Sequence, residues 1–152
     1  MRIYADTSVF GGLFDPEFVL ASQALFEEFA SGRFVLVTSA LVEAEIEPAP
    51  EAVRVAFSHH TATAEIASVN RDVLLLQQAY LDAGVVTEKS TDDALHVAMA
   101  TVSGCDLIVS WNFKHIVHFD KIPKYNAVNT LQGYASIGIF SPLEVICYDN
   151  EP

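Results

Sequence analysis

The sequence predicts an α/β layer fold around a mainly parallel central sheet. Two observations point to it. Short, continuously apolar runs such as Phe34-Val35-Leu36-Val37 read as strands covered on both faces, not as the alternating pattern of a half-exposed sheet. Stretches with apolar residues at helical spacing separate these runs, the order expected where helices cross over between parallel strands. With 152 residues, 51% of them hydrophobic, the chain fits one compact domain with a substantial core.

Each element has its own signal. Arg2-Ile3-Tyr4-Ala5 is a buried strand that ends at Asp6-Thr7-Ser8. Asp15-Pro16 reads as a helix start running to Ala30, with Phe18, Ala21, Leu25, Phe26 and Phe29 as its inward stripe. Phe34 to Val37 is the second strand, and Thr38 or Ser39 caps a helix carrying Glu43, Glu45 and Glu47 before Pro48. Helices follow over 50–57 and 70–83, the latter closed by Gly84. Ser90 with Asp93 has the form of a capping box opening a helix that is apolar nearly all round from Ala94 to Val102, and therefore buried. Asp106 to Ser110 is the next strand; Ile137 to Phe140 and Val145 to Tyr148 are candidate late strands.

Composition excludes several function classes. The formal net charge of −12 argues against a protein that holds nucleic acid by charge alone, because such proteins cluster Lys and Arg against phosphates. It suits carboxylates that ligate a cation, beside others that merely keep the surface solvated. A charged fraction of only 18% suggests buried helices or an apolar face that pairs with another chain. Cys105 and Cys147 stand in apolar surroundings and read as small buried side chains. No apolar run approaches the about 18 residues of a membrane span. The chain leads straight from Met1 into a strand pattern, so a cytoplasmic location is expected.

In parallel sheets, sites form beyond the carboxyl ends of strands. Asp6 lies just past the first strand, Thr38 and Ser39 end the second, and Asn112 follows the strand ending at Ser110. Acidic residues gathered in one crevice repel one another unless a cation holds them, and all-oxygen ligands suit Mg²⁺ or Mn²⁺.

Four segments resemble the ordered motifs of PIN domains. Asp6-Thr7-Ser8 resembles the opening acid-Thr-Ser triplet, and Ser39 to Ile46 looks like the second motif, with Glu45 at the acidic position and Ile46 in place of Leu. Asp93-Ala94 resembles the Asp-Ala that opens a buried helix, and Ser110-Trp111-Asn112 the fourth motif, with Asn112 where many members carry Asp. The resemblance spans residues 6 to 113. It implies a three-layer α/β/α PIN-like fold over residues 1–152 and divalent-metal-dependent cleavage of RNA. It also implies a homodimer and, for the VapC-like toxins of bacterial and archaeal toxin–antitoxin pairs, a silencing antitoxin.

Under this resemblance Asp6 and Asp93 bind the cation. Glu45 completes the shell or orients a water, and Asn112 holds a water ligand. Thr7 and Ser8 hydrogen-bond a ligand carboxylate or a phosphate, and His96 touches phosphate or holds a carboxylate. Each residue also has an ordinary reading: Asp6 as a turn former, Asp93 as a first-turn acid favoured by the helix dipole, His96 as a buried hydrogen-bonded histidine. Asp92 competes with Asp93 and Glu43 with Glu45 for the ligand position. Trp111 and Phe113 read as core packing, His115, His118, Lys114 and Lys121 as a solvated face or a small basic rim, and Asn126 and Asn129 as turn residues. Two other functions stand beside it: a catalytically silent PIN-fold binding module, suggested by the charge of −12 and the missing fourth carboxylate, and a metal-dependent phosphatase, which uses the same carboxylate–metal chemistry. Ser8 counts against a haloacid-dehalogenase-type phosphatase, which carries a second Asp at that position.

Overall fold

A computed structural model describes residues 1–146. Its centre is a five-stranded, all-parallel sheet in the order β3-β2-β1-β4-β5. The strands are β1 (Arg2–Ala5), β2 (Val35–Ser39), β3 (Glu65–Ala67), β4 (Leu107–Val109) and β5 (Gly138–Phe140). Ile3, Tyr4 and Ala5 are buried in succession along β1, so both faces of the central strand are covered by helices, as the unbroken apolar run requires. Those helices are α1 (Thr7–Gly11), α2 (Val19–Ala30), α3 (Ala40–Ile46), α4 (Glu51–His60), α5 (Arg71–Asp82), α6 (Thr91–Val102), α7 (Ile122–Leu131) and α8 (Pro142–Val145). Helix α5 packs on α6 and α7, while α1 packs on α3 and α4, and α2 on α8. The expected α/β/α arrangement therefore holds, with a sheet that is wholly parallel among the described residues.

Local chemistry explains most boundaries. Ser39 accepts the Val42 N–H at 3.2 Å and caps α3; Asn70 accepts the Val73 N–H at 2.9 Å and caps α5. Gly84 and Gly104 close α5 and α6 with φ of 72° and 73°, a conformation that disfavours any side chain. Helix α6 is buried from His96 to Thr101, as its uniformly apolar sequence predicts.

Several expectations need correction. Asp15-Pro16 does not start α2. Asp15 Oδ1 accepts the Glu17 N–H at 2.8 Å, residues 16–18 form a turn, and the helix begins at Val19. Short α1 and a 3₁₀ turn (Gly12–Phe14) occupy the stretch expected to be loose. Ser90 makes no side-chain cap; it ends a 3₁₀ turn (Glu88–Ser90) that leads into α6. The edge strand β3 and helix α7 carried no recognisable pattern. Val145 belongs to α8 and not to a strand, and the remainder of that candidate strand, with Cys147, lies outside the described residues. Cys105 is buried and its thiol is pushed up to about 11 by that burial, which makes it a small core side chain as expected.

Asn126 and Asn129 are helical, not turn residues. Asn126 donates to the Ile137 carbonyl at 3.0 Å and accepts its N–H at 2.8 Å, which docks the entry to β5 on α7. Asn129, fully buried, accepts the Tyr80 hydroxyl and so ties α7 to α5. Tyr80→Phe leaves that buried acceptor without its donor. Urea denaturation should show stability lower by about 1–3 kcal/mol with an unchanged slope.

Candidate metal centre

From β1 the chain lays down β2 and β3 on one side of the sheet, then returns to place β4 and β5 on the other. The carboxyl ends of β1 and β4 thus frame the crevice where parallel sheets hold their ligands. Asp6 leaves β1 into it, Ser110 and Asn112 leave β4, and Ser39 ends neighbouring β2.

Asp6 is only 4% exposed. Its Oδ1 accepts the Ser8 N–H at 3.1 Å and the Ser8 hydroxyl at 2.5 Å; its Oδ2 accepts the Ser110 hydroxyl at 2.6 Å. Ser8 Oγ accepts the Trp111 N–H in turn at 2.8 Å, so one hydroxyl locks the exits of both central strands together. Burial pushes the Asp6 carboxyl above its ordinary value and the charge of Glu45 adds to it, against the hydroxyl donors and His96.

Glu45, on α3, has a side chain 33% exposed. Its Oε1 accepts from Thr7 Oγ1 at 3.0 Å and from His96 Nε2 at 2.5 Å. Partial burial raises this carboxyl, but pairing with His96 and the Thr7 hydrogen bond outweigh it and hold Glu45 below the ordinary carboxylate range. His96, expected either to touch phosphate or to hold a carboxylate, is buried and here holds Glu45; its other nitrogen, Nδ1, meets the Tyr4 hydroxyl at 2.7 Å.

Asp93 lies in the first turn of α6 and is half-buried, whereas Asp92 is exposed. Burial raises its pKa; His115 and His96 oppose the shift, and Asp6 and Glu45 add to it by repulsion. Asn112 Oδ1 accepts the Lys114 and His115 N–H groups at 3.2 and 2.9 Å, which fixes the orientation of its amide. Its Nδ2 then donates to Asp93 Oδ1 at 3.0 Å. An Asp at 112 would set a carboxylate against Asp93; Asn supplies a donor instead.

Thr7 and Ser8, expected to reach a ligand carboxylate or a phosphate, direct their hydroxyls at Glu45 and Asp6. Trp111 packs as expected, buried and stacked on Phe18 at 4.2 Å between centroids, with Nε1 donating to Ser22. Phe113 does not: it is 46% exposed beside Asn112. Two supports went unread in the sequence: Tyr4 carried only a strand signal and Ser22 carried none, whereas Ser39 was marked as a strand end and a cap.

The chemistry of this set fits a hard divalent cation. It offers oxygen donors, and the carboxylates are near enough to interact: Glu45 resists the ionisation of Asp6, and Asp6 and Glu45 resist that of Asp93. Among the described residues no three Asp, Glu, His or Cys side chains stand together as a ready-made cage. Mg²⁺ does not need one, because it binds through one or two carboxylates and keeps several waters.

No protein-family model matches the chain, and no curated protein is significantly similar to it. The fold is similar to the crystal structure of VapBC2 from Rickettsia felis bound to a DNA fragment from their promoter. The match has a TM-score of 0.57 and 15% identity, and covers 75% of this chain and 90% of that one. No helix among the described residues is long and apolar enough to cross a membrane.

Asn112→Asp removes the donor to Asp93 and adds a like charge. In EDTA at neutral pH it should cost about 1–3 kcal/mol by denaturant unfolding. Both carboxyls would then have folded pKa values above their unfolded ones. The deficit should therefore be absent below the unfolded carboxylate range and appear as pH rises through the folded values.

Proposed function

We propose that this chain is a divalent-metal-dependent endoribonuclease of the PIN type and the toxin of a toxin–antitoxin pair. The observation that carries this is the placement of Asp6 and Asp93, with Glu45 close by, at the switch point of a parallel sheet whose fold is similar to the VapBC2 complex. Asp6 and Asp93 would hold Mg²⁺ or Mn²⁺. When bound, the ion supplies the positive charge that an acidic protein lacks for the scissile phosphate and lowers the pKa of a water. Glu45 orients that water. Asn112 keeps Asp93 in place through its N–H, and Ser8 and Ser110 keep Asp6 in place.

The substrate is RNA. Of the four lysines, Lys114, Lys121 and Lys124 follow Asn112. Lys121 donates to the Val85 carbonyl and Lys124 pairs with Asp120, whereas Lys114 is exposed beside the crevice, placed to meet a flanking phosphate. The toxin reading brings an antitoxin protein as partner, a cytoplasmic setting and a homodimer. Exposed apolar side chains such as Leu74 and Leu75 on α5 give a second chain something to cover.

Purified protein should cleave single-stranded RNA with Mn²⁺ or Mg²⁺ and stop on addition of EDTA. Asp6→Asn and Asp93→Asn should each lower the rate by about 100-fold or more. Cleavage that survives EDTA and both substitutions would contradict the proposal. So would turnover of a simple phosphomonoester with RNA left intact.

A further inference from the structure

A buried chain of hydrogen bonds runs from the start of α3 through the sheet to Glu45, near the end of the same helix. The Val42 N–H donates to Ser39 Oγ at 3.2 Å. Ser39 Oγ lies 2.8 Å from the Tyr4 hydroxyl, and that hydroxyl 2.7 Å from His96 Nδ1. His96 Nε2 ends the chain on Glu45 Oε1, where Thr7 Oγ1 also arrives. Tyr4, Ser39 and His96 are 0, 1 and 3% exposed, so solvent does not take part in the chain.

Counting protons gives the chain one direction. An ionised carboxylate only accepts, so Nε2 must carry the hydrogen. A neutral ring then has a bare Nδ1, which accepts the Tyr4 O–H, and Tyr4 is free to accept the Ser39 O–H. Every donor has an acceptor. The proton on Nε2 therefore follows from Glu45, and the Tyr4 hydroxyl is the partner that holds the far side of the ring at Nδ1. Both donors to Glu45 converge on Oε1, which leaves Oε2 uncommitted on a side chain that is 33% exposed.

We propose that Tyr4 and His96 are positioning residues: they fix Glu45 by one oxygen and present the other, Oε2, to the water shell of a divalent cation in the crevice. This rests on reading Glu45 as part of the site. Partners that orient the groups around a metal are worth about 10–100-fold in affinity or activity. The closure of the chain on a single short helix means that the capping of α3 and the aim of Glu45 are set by the same contacts.

The test has a spectroscopic arm and a binding arm. Long-range nitrogen–proton NMR spectra of the metal-free wild type should show His96 with a proton on Nε2. Tyr4→Phe keeps the aromatic ring and removes the hydroxyl, and it should move the Nδ1 resonance of His96 as that partner is lost. Its Mn²⁺ affinity should fall about 10–100-fold. An Nε2 without a proton in the wild type would overturn the proposal, whether or not the variant folds. So would a folded Tyr4→Phe with wild-type Mn²⁺ affinity. Failure of the site reading itself looks different, because the wild type would then bind no Mn²⁺ at all.

Discussion

A carboxylate shut away from water must be held by donors, and Asp6 is held by two hydroxyls that come from opposite sides of the crevice. Ser8 follows it on α1 and Ser110 leaves β4. Hydrogen bonds to a charged group are worth about 1.5–3 kcal/mol each, while an unpaired buried charge costs several times that. The donors nevertheless do not cancel the penalty, for burial still pushes Asp6 above its ordinary pKa. That residual cost lies at the carboxyl end of the central strand, beside Asp93 and Glu45. The structure around it follows from the clamp: Asp6 caps α1, Ser8 receives the Trp111 N–H, and Trp111 closes against Phe18 and Ser22.

Asn112 is the counterpart on the other wall. Where the PIN resemblance leads one to expect a fourth acid, the amide gives a hydrogen to Asp93 and uses its oxygen to organise the turn that follows. The local site thus carries three carboxylates and not four, which lightens the repulsion that a metal-free protein must tolerate. In a chain of net charge −12 this matters, because its 20 Asp and Glu far outnumber its 8 Lys and Arg.

What the sequence made legible was what leaves a local mark. Strand β1, the buried helix α6 and the Asn70 and Gly84 boundaries of α5 follow from apolar runs, caps and glycine. The acids at strand ends follow from the rule for parallel sheets. Strand β3 was hidden because a three-residue edge strand needs no apolar run; its Ile66 is 70% exposed. Helix α7 was hidden because its inward positions include Asn126 and Asn129, polar residues whose partners, Ile137 and Tyr80, are distant in the chain. The support of Glu45 was hidden for the same reason. Nothing near Tyr4 marks it as the partner of His96, 92 positions away.

The account turns on a cation between Asp6 and Asp93. The most direct measurement is an anomalous difference map from crystals grown with Mn²⁺. A peak bridged by the two carboxylates, with Glu45 meeting it directly or across a water, is the predicted result. Full-occupancy Mn²⁺ elsewhere on the molecule, with the Asp6–Asp93 crevice empty, would contradict it.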